Sequence, residues 1–114
     1  MQRASSNPAP RSISAQDEIP TRAADLSAVP LVRACLRGAD LSGASFRQTC
    51  LVSADLSDAS LVGARLRGAR IEHTVFVGAD LSSADLRSAD LTSADLSRAK
   101  LEGADLRGAR LLTA

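Results

Sequence analysis

Residues 79–88 read Ala-Asp-Leu-Ser-Ser-Ala-Asp-Leu-Arg-Ser, one five-residue unit written twice. Steps of five from Leu81 towards the N-terminus meet Phe76, Ile71, Leu66, Leu61, Leu56, Leu51, Phe46, Leu41, Leu36, Leu31 and Leu26. Steps towards the C-terminus meet Leu86, Leu91, Leu96, Leu101, Leu106 and Leu111, so all eighteen positions are large and apolar. If each is called position i, position i−2 is small: Ala in fifteen of eighteen cases, with Val29, Thr49 and Thr74 as the exceptions. All seven glycines fall at i+2, among them Gly38, Gly43 and Gly63.

A period of five excludes the ordinary amphipathic elements. On an α-helix five residues advance ~500°, which leaves each Leu ~140° from the last and forms no apolar stripe. On a plain strand an odd period sends successive Leu to opposite faces. A repeated corner solves the problem. Positions i−2 and i point inward from a short extended segment, i−1 points outward, and i+1 and i+2 turn the chain where glycine collects. The pattern therefore predicts a coil wound around a Leu-lined axis, successive turns pairing backbone to backbone.

The pentads Ala-Asp-Leu-Ser-Ser (79–83) and Ala-Asp-Leu-Arg-Ser (84–88) resemble the A(D/N)LXX signature of the pentapeptide-repeat family. The resemblance extends over residues 22–114 without a gap. It implies an all-β fold, a right-handed quadrilateral β-helix in which four pentads close a twenty-residue coil. The number four comes from the resemblance, since the period alone does not supply it. Eighteen pentads then make about four and a half coils, roughly 22 Å long at ~4.8 Å per coil.

Local details suit such a coil. Pro30 lacks an N–H and falls in the first coil, an edge where an unmade ladder bond costs least. Phe46 and Phe76, six pentads apart, are expected to face each other across the axis. Thr49 and Thr74 become buried hydroxyls that need backbone carbonyl partners.

Composition bounds the rest. A formal charge of +1 gives no whole-molecule bias towards nucleic acid or anionic membrane. With two Phe and no Trp or Tyr, the core must be built from Leu and Ala in many copies. Cys35 and Cys50 match no zinc or redox spacing and are expected to be free thiols on outward i−1 positions. No signal peptide or membrane-spanning run is recognisable, which makes a cytoplasmic location the expectation. Residues 1–21 differ in kind, rich in Ser, Pro, Asn and Ala. We read Met1–Arg11 as disordered and Ser12–Ile19 as a single helical turn whose Ile13 and Ile19 could cover the N-terminal end of the coil. A targeting peptide is the rival reading of this leader.

On a four-sided coil, outward residues sort into vertical columns. One i+1 column reads Ser27, Arg47, Arg67, Arg87 and Arg107, an arginine ladder with one rung per coil. The two sides built on Leu26 and Leu31 carry eight Arg against five acids; the two built on Leu36 and Leu41 carry three bases against six acids. A near-neutral chain thus becomes two-sided. The functional reading of Arg47, Arg67, Arg87 and Arg107 is a docking stripe for an acidic partner. The plainer reading is a column that tolerates Arg, whose stem covers apolar surface while neighbouring Asp neutralises it. Direct nucleic-acid binding is disfavoured, because no aromatic is available for stacking and acids interrupt the stripe.

Catalysis is disfavoured throughout. His73 is the only histidine and falls at an outward turn. The Asp residues at i−1 (25, 40, 55, 80, 85, 90, 95 and 105) belong to the repeat signature, and a loop-free solenoid offers no cleft to perturb a carboxylate pair. Neither cofactor nor metal ligands are recognisable.

The leading expectation is a non-enzymatic protein-binding or scaffold solenoid. The resemblance also implies an alternative, since one branch of the family, the quinolone-resistance and self-immunity proteins, mimics DNA and docks on gyrase. The acidic side fits that branch; the small net charge, the few coils and the absence of inserted loops do not. The C-terminal coil, with Leu106, Leu111 and Leu112, presents an uncovered apolar end, and open edges of this kind are normally covered. This predicts a homodimer through that coil, or else a fragment.

Overall fold

The computed structural model describes residues 23–113, and the leader readings above lie outside the described residues. Among the described residues fourteen parallel backbone bridges tie the coils together, and each joins a residue to the one twenty positions on, from Asp25 with Ser45 to Asp90 with Arg110. One coil is therefore four pentads. Face one carries Leu26, Phe46, Leu66, Leu86 and Leu106; face two Leu31, Leu51, Ile71, Leu91 and Leu111. Face three carries Leu36, Leu56, Phe76 and Leu96, and face four Leu41, Leu61, Leu81 and Leu101.

Each pentad repeats one hydrogen-bonding unit. The N–H groups of i and i+2 donate to the following coil, as Leu31 does to the Cys50 carbonyl (2.7 Å) and Arg33 to that of Val52 (3.0 Å). The N–H of i−1 donates to the preceding coil, as Ser45 does to Ala24 (2.9 Å). Pro30 occupies an i−1 position of the first coil, so its missing N–H removes no bond to the coil that follows. The corner is closed by the N–H of i+3 on the carbonyl of i, as from Val29 to Leu26 (3.1 Å).

At every i+2 position φ lies between +56° and +73°, the type II pattern of a left-handed third turn residue. Seven of these eighteen positions are glycine and eleven are not. The glycine-rich corner read from the sequence is thus a preference. The ladder bonds and the burial of i and i−2 hold Ala, Ser, Asp, Arg and His in the same conformation, against ~1 kcal/mol or more of strain at each.

The core is a column of side chains along the axis. Every i residue from Leu31 to Leu91 is fully buried, Phe46 and Phe76 on opposite faces included. The Thr49 and Thr74 hydroxyls are buried too and donate to the carbonyls of Leu26 and Leu51, both at 2.7 Å. In the last described coil Leu96, Leu101 and Leu106 are only partly buried, and Leu111 and Leu112 are 47% and 67% exposed. Leu112 stands at i+1, so it projects from the side of face two rather than lining the end of the axis. Among the described residues no helix is long and apolar enough to cross a membrane.

Candidate functional site

The outward surface begins with the signature aspartate. Position i+1 has an N–H that the ladder leaves unused, and the carboxylate two residues earlier reaches it. All eight i−1 aspartates accept this N–H, at 3.0–3.2 Å, from Ser27, Ser42, Ser57, Ser82, Arg87, Thr92, Ser97 and Arg107. This is an Asx-turn, in which a carboxylate stands in for a missing backbone acceptor. It follows from geometry alone, because i−1 and i+1 flank an inward residue and both point out. The bonds stabilise the charged carboxylates: side-chain bonding to Arg107 first, then its backbone N–H, holds Asp105 down to about 2. Side-chain bonds from Ser57 and Arg87 lower Asp55 and Asp85, and those from Thr92 and Ser97 lower Asp90 and Asp95. These acids serve the fold.

The same two-residue proximity divides the arginine ladder. In Asp85-Leu86-Arg87 and Asp105-Leu106-Arg107 the guanidinium folds back on the carboxylate. Arg87 donates from Nε (2.8 Å) and Nη2 (2.7 Å) to the two oxygens of Asp85, and Arg107 does the same to Asp105 (2.9 and 2.6 Å). A 3.9 Å contact from Arg87 Nε to Asp105 links the two coils. Asp85 and Asp105 thus neutralise the C-terminal half of the ladder.

The N-terminal half has no such partners. Ser45 precedes Phe46-Arg47, and Arg65 precedes Leu66-Arg67. The side chains of Arg47, Arg65 and Arg67 make no hydrogen bond or ion pair among the described residues, and all three are exposed. Arg65 and Ser45 are bridge neighbours in the i−1 column, with Asp85 the next member. The sequence pattern that separates the two halves is visible as Asp-Leu-Arg against Ser-Phe-Arg and Arg-Leu-Arg. A per-column reading of the ladder passes over it, because the deciding residue lies in the neighbouring column.

A groove follows these cations. A depression of about 370 Å³ is lined by Arg47, Gly63, Arg65, Arg67, Asp85 and Arg87. It adjoins one of about 470 Å³ that shares Arg47 and Arg65 and extends to Gly43 and Asp25. One wall is the corner between faces four and one. There Gly43 and Gly63 stand one coil apart, and a Cβ on either would meet nothing within 4 Å. The groove exists because two successive corners lack side chains.

The remaining candidates are ordinary surface. His73 is exposed at a turn, with φ +58°. Cys35 and Cys50 are free thiols. Among the described residues no group of three or more His, Cys, Asp or Glu side chains is placed to hold a metal ion. On face two the Glu72 Oε2 accepts Arg70 at 3.1 Å while Oε1 is buried without a partner among the described residues. Of the apolar residues expected to mediate self-association, Leu106 sits half-buried on face one, whereas Leu111 and Leu112 lie adjacent on face two.

Comparison with known proteins agrees with this architecture. Pentapeptide repeats, in eight copies, match residues 22–58, 39–76, 59–98 and 74–111. Among solved structures, the chain is similar to Rfr23, a pentapeptide repeat protein from the cyanobacterium Cyanothece (34% identity, TM-score 0.77, 79% of this chain and 62% of that one). It is also similar to HetL, a pentapeptide repeat protein involved in heterocyst differentiation regulation in the cyanobacterium Nostoc (38%, TM-score 0.75, 78% and 43%). A third is a pentapeptide repeat protein from the Arabidopsis thaliana thylakoid lumen (28%, TM-score 0.75, 77% and 61%). The chain thus spans less than two thirds of the length of each of these relatives. No curated protein sequence matches it significantly. The twenty-residue coil and the repeat match together place the chain in the pentapeptide repeat family.

Proposed function

We propose that this solenoid is a non-enzymatic binding module that docks a protein partner on its cationic side, faces one and two. One observation carries the reading: the acids at i−1 are committed to backbone N–H groups, whereas Arg47 and Arg67 stand exposed with no use inside the fold. Like charges one coil apart, ~4.8 Å, oppose folding rather than aid it, so an unpaired stack favours an external anion. Among the described residues no cluster of His, Cys, Asp or Glu side chains is placed to support metal chemistry. The test is a lysate pull-down comparing the wild type with a variant carrying Arg47, Arg67, Arg87 and Arg107 all changed to Glu, both checked for folding by circular dichroism. A partner held by the wild type and lost by the variant supports the reading. Gyrase subunits held by both would favour DNA mimicry through the acidic faces three and four instead.

A second proposal concerns self-association. Leu111 and Leu112 lie adjacent and exposed on the last described coil. We propose that this coil pairs with a second copy. Light scattering should report a dimer that Leu111→Glu dissociates; a wild-type monomer at micromolar concentration refutes it.

A further inference from the structure

We propose that the groove over Arg47, Arg65 and Arg67 is a binding site for a short acidic peptide segment of the partner, one carrying two or three carboxylates. The inference rests on the cationic side being the docking side, and goes further by assigning the ligand, by placing Arg107 beyond the site, and by leaving Arg87 at its edge as the neutralised partner of Asp85.

The ligand class follows from the charges and the depth of the groove. Three guanidiniums without internal partners flank a depression whose corner wall is bare at Gly43 and Gly63. Guanidinium forks bind carboxylates bidentately, and such bonds are stronger than neutral ones. Arg47 and Arg67 are one coil apart, ~4.8 Å, and carboxylates two residues apart on an extended peptide are ~6.8 Å apart, so two acidic side chains of one strand can meet the Arg stack.

The length of the ligand follows from the ends. Towards the N-terminus the groove reaches Asp25. Towards the C-terminus it reaches Asp85, which together with Arg87 forms a neutral pair, and the Asp105–Arg107 pair continues that neutral surface. A long polyanion laid along face one would meet attraction over about two coils and none beyond. A nucleic acid would also find no base-stacking platform, since both phenylalanines, Phe46 and Phe76, are fully buried. A protein segment of a few residues can place all of its charge inside the favourable stretch.

The test is fluorescence anisotropy with a labelled peptide alternating Asp and Gly, against its Asn-Gly counterpart and a labelled DNA duplex. The full chain is compared with two variants, Arg47→Gln/Arg65→Gln/Arg67→Gln and Asp105→Asn/Arg107→Gln, the second removing the ion pair that lies beyond the groove, both checked for folding by circular dichroism. The wild type should bind the acidic peptide in a salt-sensitive manner and not the Asn peptide. The triple variant should lose about tenfold or more in affinity, while the double variant stays within about threefold. Equal losses in the two variants, no binding by the wild type, or tighter binding of the duplex would each overturn the assignment. Failure here is distinguishable from failure of the docking reading. A partner protein retained by the wild type and by the triple variant, but lost from the four-Glu variant, overturns the groove and keeps the cationic side.

Discussion

Leu61→Ala should be among the most damaging single substitutions in this chain, and the solenoid geometry explains why. Leu61 is fully buried on face four, with Leu41 one coil before it and Leu81 one coil after, both fully buried as well. The substitution removes three carbons, ~2.4 kcal/mol at ~0.8 kcal/mol per buried methylene. The neighbours cannot close the gap, because the Leu41 N–H is held on the Ser60 carbonyl and that of Leu81 on Lys100, both at 2.7 Å. A cavity term therefore adds to the transfer term, for a total of about 3–5 kcal/mol. A chain of this size has ~5–15 kcal/mol to lose. Leu101→Ala, two coils along the same column, makes the same chemical change where the side chain is only partly buried, and should cost about 1–2 kcal/mol. Urea denaturation followed by circular dichroism measures both. The reasoning fails if the two variants cost the same, or if Leu61→Ala costs less than about 1 kcal/mol.

Thr74→Val keeps the shape of a fully buried side chain but deletes its bond to the Leu51 carbonyl. That carbonyl still accepts the Ala54 N–H at 2.9 Å, so the loss should be about 1 kcal/mol in the same assay, and a loss above ~3 kcal/mol would show that the hydroxyl does more. Gly38→Ala introduces a Cβ into open space at φ +72°, so only backbone strain opposes it. About 1 kcal/mol of destabilisation is expected, and a neutral result would mean that the ladder imposes this conformation without cost. The signature aspartates predict acid sensitivity. The folded-state pKa values of Asp25, Asp55, Asp80, Asp85, Asp90, Asp95 and Asp105 lie below the ordinary 3.8, so their contribution is complete above that value and is lost as pH falls through the folded values, to about 2 for Asp105. Thermal melts should show Tm falling between about pH 4.5 and pH 2, and a flat Tm across that window would show the Asx bonds to be energetically idle.

The sequence by itself determined that the chain turns a corner every five residues, because neither a 3.6-residue nor a two-residue period can bury one Leu in five on one side. It also marked the interior at i and i−2, down to the two threonines that require carbonyl partners. It did not determine how many corners close a coil: a period of five is compatible with any polygon, and the resemblance, then the twenty-residue bridges, supplied the square. The role of the aspartates was hidden for a related reason. An outward Asp looks like solvated surface until the ladder is drawn and the i+1 N–H is found without an acceptor. The arginine ladder is the sharpest case. Its rungs could be stacked from the sequence once the coil was known, but the charge remaining on each depended on the i−1 residue two positions before it. Asp85 and Asp105 fold the ladder's C-terminal half into ion pairs, while Ser45 and Arg65 leave the N-terminal half free. Only the tertiary structure set that free half against two glycine corners. Coulomb attraction acts between groups placed within a few ångströms of one another, and a linear pattern does not by itself give those distances.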